Sequence, residues 1–361
     1  WMPIFPCWNN YTSAMIGDHA TVMISDAYTK GITGFDTEKA WKYMAKNAFT
    51  HNDDTTSYRL GKGRRAMDTY LKYGYLPMEE KVPDAFHKEE QVSRTLEYAF
   101  DDFATGRFAG AIQKPDAFVA LMDRSKNYIH VFDTTTGYVR GRHDDGRWFE
   151  PFDPNDTHAT FITEGTPYQY TWFVPHDMYG LMKLMGGEKA FEDKLDGLFN
   201  GGHYWHGNEP GHQIPYLYNY IGKPWKTQKI VHDIVREEYS TGPGGLSGNE
   251  DAGQMSAWLV FSMMGLYPVC PSTPEYIMGK PFFEEITIHY DHGKPLTILT
   301  KNLSDINIYV QSITLNQQPY PLSRIMHEDL LKGGVMEIVM GPEPASDRAV
   351  KREFRPMSWN D

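Results

Sequence analysis

Two adjacent carboxylates stand out in the segment Gly248-Asn249-Glu250-Asp251-Ala252-Gly253-Gln254-Met255-Ser256-Ala257-Trp258. The residues before it, Ser240 to Ser247, are too rich in glycine for a regular element, and after Gly253 apolar side chains recur at helical density. The acids therefore sit where a loop enters a helix. A helix N-terminus favours carboxylates through its unpaired N–H groups and dipole, so capping competes with catalysis as their role.

A second acid, Glu164, lies among Phe161, Ile162, Tyr168, Tyr170, Trp172 and Phe173, with Gln169 in the same run as a substrate-binding candidate. A carboxyl held against aromatics has its charged form disfavoured, which suits a general acid near neutral pH; the plain alternative is a Glu at a loop edge with its head in water. The third feature is Tyr204-Trp205-His206-Gly207-Asn208-Glu209-Pro210-Gly211-His212. Asn208 and Glu209 supply hard oxygen donors of the kind calcium takes, or else an N-cap and a first-turn acid. Zinc is disfavoured, since no Cys partner or HExxH spacing accompanies His206 and His212, which fit hydrogen-bonding roles better. Trp205 and His206 are further candidates for binding substrate, as are Asn249 and Glu250. Two separated carboxylates, an oxygen-rich loop and many aromatics make up the equipment for glycoside hydrolysis.

The remaining composition narrows the partners. A net charge of −12 with scattered Lys and Arg leaves no basic face for nucleic acid or anionic membrane. No apolar run reaches the length of a membrane span. Nine Trp and 23 Tyr offer flat faces for stacking on sugars, or simply fill a core. Cys7 and Cys270 permit at most one bridge. Sequons at Asn10, Asn155 and Asn302 are compatible with secretion. Trp1 is neither an initiator Met nor the start of a signal peptide, so the chain is expected to begin inside a longer precursor.

Residues 12–239 read as amphipathic helices joined by long Gly/Pro/Asp-rich loops. A first helix is expected from Met15 to Lys30, one capped by Thr37, one capped by Ser93, and others over 116–128, 177–185, 188–199, 211–220, 226–239 and 253–264. Such helical hairpins with long loops point to a mainly α toroid whose loops build a site at one end. After Pro268, segments 284–290, 296–299, 306–310 and 336–340 alternate with period two, which predicts a small antiparallel β module that packs on the helices or on a β domain before Trp1. The expected division is 1–268 helical and 269–361 β-rich.

Asn208-Glu209-Pro210-Gly211-His212, Tyr216-Leu217-Tyr218-Asn219-Tyr220, Gly222 to Gln228, the Gly248 to Trp258 segment and Gly265-Leu266-Tyr267-Pro268 strongly resemble glycoside hydrolase family 92, the calcium-dependent exo-α-mannosidases. The resemblance continues through Met15 to His19, Ser93 to Ala99, Phe132-Asp133, Pro151 to Pro154 and Glu164 to Asp177, ending near Gly341-Pro342-Glu343-Pro344. It implies an (α/α)6 barrel whose first part, together with the family's N-terminal β-sandwich, lies outside this chain and would be its partner. It further implies inverting hydrolysis of terminal α-linked mannose on α-1,2 or related linkages of N-glycans or mannans, in a secreted, periplasmic or otherwise exported protein. Glu164 matches the family's acid and Asp251 its base. Asn249 stands where some members have Asp, which leaves it a positioning role. Ca2+ would bind O2 and O3 of the mannose, with Asn208 and Glu209 as ligands and Glu250 turned away or touching the metal. The competing readings are a calcium-dependent mannose-binding protein without turnover and another (α/α)6 carbohydrate enzyme.

Overall fold

A computed structural model describes residues 1–7, 10–12, 14–83 and 85–358, with the side chains of residues 6, 7 and 10 outside that description. The possible Cys7 bridge and the Asn10 sequon thus fall outside it, while Cys270 is buried.

The helical part is organised around Gln91–Ala111, which is buried along nearly its whole length and packs against Pro115–Arg124 and His19–Thr29. A helix so enclosed must neutralise its polar side chains. Asp102 takes Arg64 and Arg124 at 2.6 Å each, Arg64 also reaches Asp18 at 2.6 Å, and Asp101 accepts the backbone N–H of Asp18. Breaking one partner of such a network strands a buried charge, so these pairs fix how the segments before Gln91 lie on it. The helix begins at Gln91 rather than at a Ser93 cap; Ser93 is buried, and its hydroxyl accepts the N–H of Thr163 at 2.9 Å. That bond ties the central helix to the loop carrying Glu164. Thr37 is likewise the first helical residue, with Asp36 as the cap accepting from Lys39.

Further helices run Met178–Leu184, Glu188–Asn200, Pro224–Glu237 and Gln254–Met264. The stretch expected as a helix over 211–220 forms two 3-10 segments, Glu209–Gly211 and Ile214–Ile221. Every residue of the second is buried and it stops at Gly222, whose φ of 69° only glycine adopts readily.

The β module is mixed rather than wholly antiparallel. Its five-stranded sheet runs, from edge to edge, Gln318–Pro319, Tyr309–Leu315, Gly334–Gly341, Leu296–Lys301 and Glu285–Ile288, and Gly334–Gly341 pairs with Leu296–Lys301 in parallel. A three-stranded antiparallel sheet of Arg324–Met326, Glu275–Met278 and Leu266–Tyr267 straddles the 268/269 boundary. Successive side chains of a strand face opposite ways. Ile277 accordingly enters the helical core while Tyr276 and Met278 enter the sheet core. Gln228 also accepts the N–H of Val310, joining helix Pro224–Glu237 to the larger sheet.

Candidate active site

Two glycines bring the acidic loops together. A Cβ on Gly248 would stand 2.1 Å from the carbonyl oxygen of Gly207, and one on Gly207 would stand 2.7 Å from that of Ser247. The loop bearing Asn208 and Glu209 and the loop bearing Asn249 to Asp251 therefore cross backbone to backbone, at a distance only glycine allows. A third loop joins them, since the Asn208 side-chain amide donates to the carbonyl of Glu164 at 2.8 Å.

The backbone at this junction is unusual. Asp251 and Ala252 have φ of 42° and 58°, Gly253 follows at 92°, and Glu164 has 49°. Non-glycine residues in the left-handed region cost about 1–3 kcal/mol each and persist where the surroundings over-determine them, commonly at functional sites. Here both candidate catalytic acids carry that strain.

The four carboxylates are in different situations. Glu209 is half-buried, its Oε1 is enclosed without a hydrogen-bond partner among the described residues, and burial followed by the charges of Asp251, Glu164 and Glu250 raises its carboxyl to about 7. Glu250 is spent on the helix: its Oε1 accepts the N–H of Ser256 at 3.0 Å and its Oε2 the Ser256 hydroxyl at 2.8 Å. Both oxygens of Glu250, a substrate-binding candidate in the sequence, are thus engaged by Ser256 in the first turn of helix Gln254–Met264, as a capping carboxylate's would be. Glu164 is exposed, not enclosed by aromatics; Phe161, Tyr168, Tyr170 and Trp172 of its run are buried in the core. Asn249 is exposed and Asp251 half-buried at the mouth of the same loop.

Two other candidates turn out to be supports. His206 is fully buried, with Nδ1 on the Tyr204 hydroxyl at 2.8 Å and Nε2 on that of Tyr239 at 2.7 Å. Burial lowers its pKa to about 2, so it is a neutral ring with no free nitrogen to offer a substrate. Gln169 completes a capping box with Thr166 and donates to the carbonyl of His203, so both ends of its amide are occupied. Trp205, by contrast, is 47% exposed and lies against Gly207.

Behind the junction stands a cluster that the sequence did not mark as one unit. His212 bonds the carbonyl of His206, stacks on its ring at 4.6 Å, and meets Gln254, which also reaches Tyr267. Trp258 donates to the carbonyl of His212, and Tyr239 donates to that of Met255 in the first turn after Asp251. These residues lie far apart in sequence; the available signal was their shared apolar surroundings, which reads equally as core. Glu209, Gln213, Gln254 and Trp258 line part of a largely apolar cavity of about 200 Å³.

Among the described residues, no three His, Cys, Asp or Glu side chains gather as a metal cluster. A cation at the junction would instead use mixed oxygen donors. The enclosed Oε1 of Glu209 and the amide oxygen of Asn208, whose nitrogen is already held by Glu164, have the hard-oxygen chemistry calcium takes.

Comparison with known proteins relates the chain to one family. Residues 1–342 match the model of the glycosyl hydrolase family 92 catalytic domain. A family 92 α-mannosidase of Bacteroides thetaiotaomicron superposes with a TM-score of 0.89 at 37% identity, over 99% of this chain and 46% of its own; that enzyme has also been solved with mannoimidazole. An inverting mannosidase of the same family and bacterium gives 0.88 at 32% identity, over 97% of this chain and 49% of its own. A protein of Arthroderma benhamiae described as an uncharacterized secreted glycosidase is 30% identical over 91% of this chain and 46% of its own length. The chain thus spans about half the length of the relatives it matches.

Proposed function

The chain belongs to glycosyl hydrolase family 92, and from that premise we propose that it forms the site-bearing part of an α-mannosidase removing terminal α-linked mannose with inversion. The observation that carries the reading is the meeting of three loops, where the Gly207–Gly248 crossing sets the loop of Asn208 against the loop of Glu250 and Asp251 and the Asn208 amide holds the carbonyl of Glu164. Two of these carboxylates remain free for chemistry once Glu250 has capped its helix.

In the proposed reaction Asp251 takes a proton from water as its oxygen attacks the anomeric carbon. Glu164 gives a proton to the glycosidic oxygen as the carbon–oxygen bond breaks, and β-mannose leaves. Inverting pairs stand roughly 6.5–9.5 Å apart so that the water fits between base and sugar. Placing acid and base on separate loops makes room for it. Asn249 positions the base loop, and an amide there cannot share a proton with Asp251 as a carboxylate would. Asn208 and Glu209 would hold Ca2+, a hard cation that would chelate the vicinal O2 and O3 hydroxyls of the mannose and favour the flattened ring. His206 and Gln169 act through the loops they brace.

Residues 1–268 are the catalytic helical part in this reading and 269–361 the β-rich part, completed by an N-terminal β-sandwich and the start of the barrel from the same precursor. The A. benhamiae relative's description as secreted supports an exported protein. Among the described residues no helix is long and apolar enough to cross a membrane. The α-1,2 and related linkages of N-glycans or mannans are the proposed substrates.

The test is proton NMR of hydrolysis by the full-length protein on an α-1,2-mannobioside. First release of β-mannose, abolished by EGTA and restored by calcium, is expected. First release of the α-anomer would overturn inversion, and full activity in chelator would overturn the metal assignment.

A further inference from the structure

An open trough of about 440 Å³ lies between residues 86–90, which lead into the central helix, and residues 157–162, which lead to Glu164. The two walls are joined along the floor: Glu90 donates to the carbonyl of Thr160 at 2.9 Å and Val92 to that of Phe161 at 3.0 Å. Ile162, at the floor, is two residues from Glu164, so their Cα atoms are at most about 7.6 Å apart.

Phe86 lines the trough and is 71% exposed. A lone exposed phenyl is ordinary. Here the backbone on either side of the ring is anchored: its neighbours Ala85 and His87 are buried, Val82 donates to the carbonyl of Lys88, and Arg94 donates to the carbonyl of His87. The His87 ring meets the Phe86 ring edge-on at 5.0 Å. Around it Lys88, Thr157, His158 and Thr160 are exposed and Glu89 half-buried, a rim of donors and acceptors of both charges. An aromatic face with a mixed, hydroxyl-rich rim suits a neutral polyol better than an anion or a basic peptide.

We propose that this trough is a distal subsite that takes the leaving part of an oligomannoside, with Phe86 as the stacking platform. The inference rests on the hydrolase reading, because it is the acid's position that gives the trough a direction. The general acid stands on the side of the bond from which the leaving sugar departs. A trough ending on the acid's own loop therefore receives what lies beyond that bond. It makes this site one that distinguishes long α-mannans from short mannosides.

The experiment compares Phe86→Ala and Phe86→Trp with the parent, in the full-length protein, on α-mannosyl fluoride, mannobiose and a linear mannopentaose. For Phe86→Ala, kcat/KM on the pentaose falls about fivefold, chiefly through KM, while the fluoride and mannobiose are cleaved as by the parent; Phe86→Trp retains pentaose activity. Equal loss on all three substrates, or no loss on any, would overturn the subsite. A parent that cleaves none of the three would overturn the hydrolase reading itself, a result distinct from either.

Discussion

The two acids proposed for catalysis share a backbone property that Glu250 lacks. Glu164 and Asp251 both sit at positive φ, whereas Glu250 spends both oxygens on Ser256. The difference predicts three distinct variants. Glu164→Gln loses about 10²- to 10⁴-fold on a sugar leaving group but little on α-mannosyl fluoride, which needs no proton. Asp251→Asn loses activity on both, since no leaving group replaces the base. Glu250→Ala loses about 1 kcal/mol of stability with kcat kept within a few fold, as expected of a cap. Steady-state kinetics on the two substrates and a denaturant titration separate them, and a Glu250→Ala enzyme as dead as Asp251→Asn would show that the cap is catalytic after all. In the sequence a glycine-rich loop singled out Glu250 and Asp251, and aromatic neighbours singled out Glu164. The sequence could not say which of the adjacent pair caps the helix, because that depends on the left-handed turn through Asp251, Ala252 and Gly253, and residue type only weakly encodes such a turn. For the same reason Glu164 read as aromatic-enclosed: its neighbours are indeed buried, but the turn at Glu164 leaves it exposed.

At the scale of elements, loop crossings hold the site more than helices do. The helices were legible because their apolar periodicity survives in the sequence; Glu188–Asn200 and Gln254–Met264 fall within a residue of expectation. The 3-10 segment Ile214–Ile221 was not, because with every residue buried there is no polar face to set a period. The Gly207–Gly248 contact was equally hidden, as a glycine needed for a close approach looks like any loop glycine. Gly248→Ala forces two backbones apart, since the obstructing atom is a carbonyl oxygen and not a flexible side chain. A displacement near 1 Å can cost about 10²-fold in rate. The variant should therefore keep its far-UV circular dichroism and lose about that much kcat/KM; unchanged kinetics would show that the loops adjust freely. His206→Ala acts on the same element from behind, stranding the hydroxyl of Tyr204, leaving that of Tyr239 with only its bond to Met255 and opening a cavity. A loss of about 2–4 kcal/mol in urea unfolding is expected.

Across the whole molecule, the helical and β parts are bound by a carboxylate at their seam. Glu275 opens the strand Glu275–Met278, accepts the N–H of Met357 at 3.2 Å on each oxygen, and lies 3.4 Å from Arg324. The segment it holds goes on to the helical part, where Tyr179 donates to the carbonyl of Pro356 and Ser358 donates to Asp177. Burial raises the Glu275 carboxyl to about 8, against the pull of Arg324 and of the Met357 N–H. Because the folded pKa lies above the unfolded value, the folded protein holds a proton that the unfolded chain has lost. Stability from this group is then fully present below about pH 4.5 and declines as pH rises through about 8. Glu275→Gln keeps the shape without the titration. The difference in unfolding free energy between that variant and the parent should shift in the variant's favour by as much as a few kcal/mol across this window, as read from urea titrations at several pH values. A difference that stays constant with pH would mean that Glu275 ionises normally, its buried charge fully compensated by Arg324 and the Met357 N–H.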